Sequence, residues 1–241
     1  LLLALDRQTL ADALSDRLAP VADAFLPPDD VRWDWVKDLV VKYPYDPRQA
    51  EALFVQAGLQ RGSDGVMQDS AGNRMVLPHW TTPGPDHEQQ LAIEGDQWRQ
   101  VGVVTQQVIL SGTQANDRRT RSAFPALNNA GWPSATIASI EGRFLAANCP
   151  TERNDWNGQN YGCFMAPTWE PIISRLKAAI DPEDQREPFQ ELARRYTEEL
   201  PLLPLYFDVS MEVFREGITG VKGNAKPDGS ITWNIADWDI L

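Results

Sequence analysis

The sequence predicts an α/β fold in which a mixed sheet is flanked by helices, and two observations carry this prediction. A strand at about 74–80, a helix from Asp86 to Gln100 and a strand from Val103 to Leu110 follow one another, an order typical of a βαβ unit with a parallel strand pair. Two helices, at 169–180 and 182–199, each place apolar residues on one face. With 241 residues, 42% of them hydrophobic, the chain can bury a substantial core as a single domain.

The N-terminal segment is predicted to form an amphipathic helix over roughly 2–18, because Leu3, Leu10, Leu14 and Leu18 lie near one face at helical spacing. The apolar start resembles a signal peptide only superficially. No basic region precedes it, and no small-residue cleavage site follows. We therefore expect the sequence to begin inside a longer protein.

The clearest local helix signal is at Asp46. This residue is a typical N-cap, Pro47 suits the first helical position, and Gly58 is placed to end the helix. Apolar residues at helical spacing form the predicted inward face, namely Ala50, Leu53, Phe54 and Ala57.

Later elements are predicted from similar patterns. The charged stretch 117–121 is expected to be a solvated helix face, and a short strand is expected over 124–127. Further strands are predicted at 205–214 and about 230–236, with a turn at 227–229 between them. The inward residues of the two C-terminal helices are predicted to be Ile172, Ile173, Leu176 and Ile180, then Phe189, Leu192, Ala193 and Tyr196.

The charge of the chain excludes some partners. Lys and Arg number 22 against 34 Asp and Glu, which gives a net charge of −12. A nucleic-acid binder needs a basic face, and an anionic lipid surface attracts basic segments, so neither partner is expected. No apolar run reaches the roughly 18 residues that a membrane span requires.

Cys149 and Cys163 enclose a polar loop that is rich in turn-forming residues. A disulfide that closes this loop would indicate an oxidising compartment, and the alternative is two unrelated thiols. We favour the disulfide, because exposed free thiols in such a loop would be liabilities. The chain has two histidines, both far from the cysteines in sequence, and no C-x-x-C pair, so no metal site is predicted.

The motifs of common enzyme classes are absent from the sequence, which contains no G-x-S-x-G, H-E-x-x-H, phosphate-binding loop or G-x-G-x-x-G. His79 is interpreted as a packed or half-exposed strand residue, and His87 as an exposed residue at a helix start. We therefore predict no catalytic residues and no cofactor. A hydrolase of unknown type remains an alternative that turnover of a test substrate would favour.

The order of the motifs resembles a known family. Residues 43–58 read Tyr-Pro-Tyr-Asp-Pro and end Ala-Gly, which is similar to the Y-x-Y-D-P-x-x-A-x-x-L-L-x-x-A-G pattern of family-5 extracellular solute-binding proteins. The D-G and D-x-x-G that follow in this family match 64–65 and 69–72. Further similar segments lie at 4–8, 98–103, 124–132, 184–186 and 196–206.

The resemblance implies an architecture and a role. Such proteins are the binding components of ABC importers, and they trap a peptide, nickel complex or other solute between two lobes. The chain resembles the C-terminal lobe, an α/β periplasmic-binding-protein-like domain over 1–241, and its tail from about 220 resembles the segment that returns to the N-terminal lobe. The implied location is extracytoplasmic, periplasmic or held by a lipoprotein anchor, and the implied partners are a solute, a membrane permease and the missing lobe. The alternative is a ligand-sensing domain of a receptor or regulator with the same fold.

Candidate ligand-binding residues are predicted where loops follow the strands, because ligands of open α/β sheets commonly bind there. Hydroxyl and amide groups would orient a polar solute, and an indole would supply a stacking face. The candidates are Ser111, Thr113, Asn129, Trp132 and Ser134. The competing interpretation of Trp132 is that it seals the edge of the sheet.

One departure from the family pattern concerns the ligand. In peptide-binding members the Gly-Trp segment is followed by an aspartate that pairs with the α-ammonium group of the peptide. Here Trp132 is followed by Pro-Ser-Ala-Thr-Ile, which contains no carboxylate. A buried ammonium group without a counter-charge is costly, so a sugar, a modified peptide or another polar solute is at least as well suited as a free peptide.

Overall fold

A three-stranded parallel sheet organises the first half of the molecule. The computed structural model describes residues 1–132, 135–209, 213–222 and 232–240. Strand β3 (Val76–Thr81) lies in the centre, with β4 (Val104–Ile109) and β5 (Leu127–Asn128) on its two sides. Helix α4 (Pro85–Gln100) connects β3 to β4, whose register runs from Val76 opposite Val104 to Thr81 opposite Ile109. The predicted βαβ unit is confirmed, and β5 begins three residues later than the predicted strand.

The remaining elements before and after this sheet are short or helical. Helices α1 (Arg7–Leu14), α2 (Trp33–Val36) and α3 (Pro47–Gln56) precede a small hairpin of β1 (Gln60–Arg61) and β2 (Met67–Gln68). Helices α5 (Gly112–Asn116) and α6 (Arg118–Ser122) connect β4 to β5. Helices α7 (Ile137–Phe144), α8 (Glu170–Ala178) and α9 (Pro182–Glu199) follow, and β6 (Ile218–Thr219) pairs with β7 (Asp239–Ile240).

The sheet differs in one respect from the expected mixed sheet. Within the described residues, its three strands are parallel to one another, and the antiparallel pairs β1–β2 and β6–β7 are separate from it. The α/β class is confirmed.

The N-terminal helix is shorter than predicted. Residues Leu2–Ala4 form a 3₁₀ turn, and the Asp6 carboxylate accepts a hydrogen bond from the Thr9 backbone, so α1 begins only at Arg7. The helix ends at Leu14 because Asp16 and Arg17 adopt positive φ angles. Leu18 therefore lies outside the helix and is 57% exposed, whereas Leu10 is fully buried.

Helix α3 begins and ends where the sequence predicts. The Asp46 carboxylate accepts a hydrogen bond from the Gln49 backbone, Pro47 is the first helical residue, and Gly58 has a φ of +89°. Ala50 and Phe54 are buried, but Leu53 and Ala57 are exposed. The inward face is narrower than predicted because α3 packs mainly on the 3₁₀ turn at Leu2–Ala4.

The main core lies between helices α7, α8 and α9. The predicted inward residues of α9 are buried, as are Ile172, Ile173 and Leu176 of α8. Ile180 is 95% exposed, since α8 ends at Ala178 and the chain becomes extended at Ala179. Around Trp169 and Phe144 the aromatic rings pack at centroid distances of 5.0–5.9 Å.

The two predicted C-terminal strands are wrong in the part that the structure describes. Around Tyr206 the chain is extended, but it forms a single antiparallel bridge with Val21, flanked by hydrogen bonds from Ala22 and Phe207. The pairing is short because Pro20 and Pro204 bound it and lack N–H groups. Residues 232–237 form turns, with a 3₁₀ turn at Ile235–Asp237, and the predicted turn at 227–229 lies outside the described residues.

Cys149 and Cys163 are bonded to one another, as predicted. The loop between them is folded on itself: the Asn160 side chain is buried, donates to the Leu145 and Phe164 carbonyls and accepts from the Phe164 backbone. Asn154 similarly donates to the Cys149 carbonyl. The loop is therefore an ordered surface, which we call the disulfide loop (149–163).

Candidate functional site

The carboxyl ends of β3, β4 and β5 meet at one edge of the sheet, because the three strands are parallel. Ser111 and Thr113 follow β4 there, and Asn129 and Trp132 follow β5. Four of the five predicted ligand-binding residues thus lie at the same edge of the sheet, with Thr113 in the first turn of α5 and the others in the connecting segments. The fifth, Ser134, is outside the described residues.

Ser111 and Thr113 form an exposed corner at the start of α5. Ser111 is the N-cap: its hydroxyl accepts from the Gln114 backbone at 3.3 Å, and its own N–H donates to Gln114 Oε1 at 2.9 Å. This capping box fixes the corner from within. The corner therefore presents Thr113 to solvent on a locally ordered turn.

Asn129 is directed into the protein rather than outward. Its Oδ1 accepts a hydrogen bond from His79 Nε2 at 2.9 Å, and its Nδ2 donates to Glu94 Oε2 at 3.0 Å. Glu94 Oε2 also lies 3.1 Å from His79 Nε2, and both side chains are 1% exposed. The amide that the sequence suggested for a solute is thus occupied in fixing the first residue after β5.

The buried polar group around His79 extends towards the C-terminal part of the chain. Glu94 Oε1 accepts from Gln90 Nε2 at 2.8 Å, and the Tyr206 hydroxyl donates to Gln90 Oε1 at 3.3 Å. Burial, with the nearby carboxylates of Asp208, Glu94 and Asp86, raises the pKa of Tyr206 to about 12, so it stays a neutral donor. His79 is a packed strand residue, as the sequence predicted, and His87 is exposed at the start of α4.

Trp132 is half-buried and packs one face on the core. Its ring stacks on Phe25 at 5.8 Å and meets the edge of Phe144 at 5.4 Å. The indole N–H donates to the Ser139 hydroxyl. The indole therefore seals the sheet edge on its inner side, and what it can offer a solute is its outer, partly exposed part.

Arg143 of α7 also lies beside the Trp132 ring. Its Nη2 donates to the Gly131 carbonyl at 2.9 Å, and its guanidinium lies 5.9 Å from the Trp132 ring and 5.6 Å from the Tyr161 ring. Burial lowers the pKa of the guanidinium, although Tyr161 and Tyr196 act in the opposite direction. Sequence reasoning missed this residue, because no local pattern connects position 143 with the turn at 131 or the disulfide loop.

Two arginines of α6 also reach the disulfide loop. Arg119 lies 5.6 Å from the Trp156 ring and Arg121 lies 5.9 Å from the Tyr161 ring. No residue of α6 is buried as a whole, as expected for a solvated helix face, although the Arg121 Nε atom is. We call Arg119, Arg121 and Arg143 with Trp132, Trp156 and Tyr161 the arginine–aromatic cluster.

Among the described residues, no three His, Cys, Asp or Glu side chains are grouped as metal ligands. No helix in the described ranges is long and apolar enough to cross a membrane. One surface depression of about 190 Å³ lies beside Arg7 and Tyr45, and another of about 420 Å³ lies beside Cys149 and Met165, at the disulfide loop.

The geometry and the motif order agree with comparisons to known proteins. The family profile described as bacterial extracellular solute-binding proteins, family 5 Middle, matches residues 1–139. The chain belongs to this family. Its members lie outside the cytoplasm, so the expected extracytoplasmic location follows from membership.

Individual relatives extend the similarity over nearly the whole chain. The oligopeptide-binding protein AppA of Bacillus subtilis (strain 168) is 23% identical over 240 residues, 98% of this chain and 42% of AppA. The structure of NikZ from Campylobacter jejuni in complex with Ni(L-His) matches with a TM-score of 0.78 and 19% identity, over 98% of this chain and 47% of NikZ. An oligopeptide-binding protein from Thermus thermophilus, complexed with a pentapeptide, matches with a TM-score of 0.75 and 24% identity, over 91% of this chain and 38% of that protein. The chain thus spans less than half the length of these relatives.

Proposed function

We propose that this chain is one wall of a two-lobed solute-binding protein that delivers a peptide or other small polar solute to an ABC importer. The chain would be the C-terminal lobe, with the segment from about 220 returning to the N-terminal lobe. The observation that carries the proposal is family membership, combined with coverage of nearly the whole chain but less than half of each relative. Binding would need no covalent chemistry, and a membrane permease would be the partner.

The candidate site fits a cleft wall in its position and exposure. Ser111 and Thr113 follow β4 and Trp132 follows β5, all at the carboxyl edge of the parallel sheet where loops converge. Ser111 and Thr113 are exposed and Trp132 is half-buried, so this edge is open to solvent. We infer that a second lobe closes over this open edge to enclose the solute, a hinge movement common to such proteins.

The residues have different roles in this proposal. Thr113 and the outer part of Trp132 would contact the solute, together with Ser111 and Ser134. Asn129 would not contact the solute but would fix the segment after β5, since both polar atoms of its side chain are bonded to His79 and Glu94.

The test uses the full-length polypeptide that carries this sequence. Equilibrium dialysis against a panel of peptides, oligosaccharides and nickel–histidine would identify a retained solute, and calorimetry would give its dissociation constant. Thr113→Trp places a large ring on the open edge without disturbing packing, because Thr113 is exposed. We expect it to weaken binding by about 1–3 kcal/mol, the size of an interface effect.

Gln56→Trp is the matched control, since Gln56 is exposed on α3, away from the sheet edge. It should leave the dissociation constant unchanged. Retention of no solute from the panel, or equal affinities for the wild type and Thr113→Trp, would contradict the proposed site.

A further inference from the structure

Arginines converge at the sheet edge of a protein that is otherwise strongly acidic. The chain has a net charge of −12, yet α6 has three arginines in its five residues. Arg121 of α6 and Arg143 of α7 approach the same ring, that of Tyr161, at 5.9 and 5.6 Å. Two positive charges from separate helices are therefore held beside one aromatic side chain.

The pairing of these charges differs from that of other arginines in the chain. Within the described ranges, Arg119, Arg121 and Arg143 form no ion pair with an Asp or Glu. Nine other arginines of these ranges do form one. Glu141 pairs with Lys177 at 2.7 Å, and Asp117 caps α6 by accepting from Thr120, although its charge still acts on Arg119. The Nε atoms of Arg121 and Arg143 are also buried without a hydrogen-bond partner among the described residues.

Such an arrangement leaves part of the guanidinium charge and hydrogen-bonding capacity unmatched within the described residues. Like charges repel, and a half-buried guanidinium with an unmade hydrogen bond loses hydration without replacement. Burial accordingly lowers the pKa of Arg143. A carboxylate offers two oxygen atoms that match the planar fork of a guanidinium, so it would satisfy both the charge and the free N–H groups.

The position of the cluster connects it with the cleft edge. Arg143 donates to the Gly131 carbonyl and lies over Trp132, in the segment that follows β5 at the carboxyl edge of the sheet. The charge beside this segment is therefore positive. The aromatic rings of Trp132, Trp156 and Tyr161 supply faces for the apolar part of a solute.

We propose that the arginine–aromatic cluster binds a carboxylate group of the captured solute, so that the protein selects acidic solutes over neutral ones. This inference rests on the proposed function, because it assigns a substrate class to the same cleft edge. It places the recognition on Arg121 and Arg143, whose guanidinium groups lie 5.9 and 5.6 Å from the Tyr161 ring.

The test uses two matched pools of pentapeptides, both N-acetylated and C-amidated so that neither terminus carries a charge. One pool contains alanine pentapeptides that each carry a single Glu, with every position of the peptide represented once. The other pool contains the same peptides with Gln in place of Glu. The full-length polypeptide is dialysed against each pool, and retained peptides are quantified by mass spectrometry. We expect the best Glu peptide to be retained about tenfold more tightly than its Gln counterpart, and the preference to shrink as salt concentration rises.

Substitutions of the two arginines test whether they cause the preference for Glu peptides. Arg121→Gln and Arg143→Gln should each abolish the Glu preference, and Arg143→Lys should retain part of it because the charge is kept. Arg48→Gln is the matched control, since Arg48 is exposed on α3 and its loss changes the net charge equally. If Arg143→Gln disturbs the turn at Gly131, Arg121→Gln still decides, because the Arg121 side chain supports no turn.

The outcomes separate this inference from the proposed function. Equal retention of both pools would overturn the preference for acidic solutes and leave solute binding intact. Retention of neither pool, or a Glu preference that persists in both glutamine variants, would also overturn it. The proposed function would then be judged by the wider solute panel alone.

Discussion

The guanidinium group of Arg7 holds three distant segments of the chain together. Arg7 lies at the start of α1 with a side chain 7% exposed, where it donates to the carbonyls of Ala22, Pro204 and Tyr43 and pairs with Asp23 at 3.1 Å. It joins segments that lie up to 197 residues apart in the sequence. The family-like segment at 4–8 is visible in the sequence, but what its arginine does depends on contacts that no local pattern encodes.

The carboxylate of Asp30 is buried and paired with Arg32. Its side chain is 6% exposed and accepts from Arg32 Nε at 2.8 Å and Nη2 at 2.6 Å. Burial alone would raise the pKa of this carboxyl, but the hydrogen bonds and charge of Arg32 outweigh burial and hold the pKa below its ordinary value of 3.8. Because the folded pKa is lowered, the stabilisation is present above the unfolded pKa and is lost as the pH falls through the folded pKa.

We therefore expect Asp30→Asn to reduce the free energy of unfolding by about 1–3 kcal/mol at pH 7, and by less as the pH falls below about 4. Urea unfolding at pH 7 and pH 3 measures both values. Asp34→Asn is the control, since Asp34 pairs with Lys37 on the surface and should matter far less. A difference between wild type and Asp30→Asn that is equally large at both pH values would contradict this account.

Among elements, those with strong start and stop signals were predictable from the sequence. The Asp46–Pro47 start of α3 and the strand–helix–strand order around α4 are both observed. The absence of a full strand over the described part of 205–214 could not be foreseen, because its apolar residues suit a strand and its pairing with the proline-bounded segment around Val21 is a tertiary contact. At the candidate site, the sequence predicted that segments after β4 and β5 lie at one edge of the sheet. It did not predict that Asn129 bonds to buried Glu94 or that Arg143 bonds to the Gly131 carbonyl, because both are tertiary contacts.

Two glycines of the disulfide loop, Gly158 and Gly162, differ in how closely other atoms pack around them. A side chain at Gly158 would place its Cβ 1.9 Å from the Asn148 carbonyl oxygen, a backbone atom that cannot give way without moving the loop. At Gly162, in the same loop, an added Cβ meets nothing within 4 Å. The two glycines thus differ in surroundings, although the sequence gives no reason to separate them.

We expect Gly158→Ala to destabilise the protein by about 1–3 kcal/mol through overpacking, whereas Gly162→Ala should have little effect. Thermal and urea unfolding of the oxidised protein measure both variants. Displacement of the loop should also weaken the contact of Tyr161 with Arg143, so Gly158→Ala is expected to reduce the preference for acidic peptides. Equal stability of the two variants would show that the loop is not packed as described.

For the molecule as a whole, fold class and family were accessible from the sequence because motif order extends over nearly the full chain. The roles of individual residues at the candidate site were not accessible, since their contacts are made by side chains from distant elements. The chain covers less than half of its relatives, which is why we assign it to one wall of a shared site.

The most direct test of that assignment is the dissociation constant of one retained solute, measured by calorimetry for the full-length polypeptide and for the 241-residue chain alone. A single wall should supply only part of the roughly 8 kcal/mol that micromolar binding requires. We expect micromolar or tighter binding by the full-length polypeptide and binding at least about 100-fold weaker by the isolated chain. Equal affinity of the two would contradict the account, because the solute would then need no second wall.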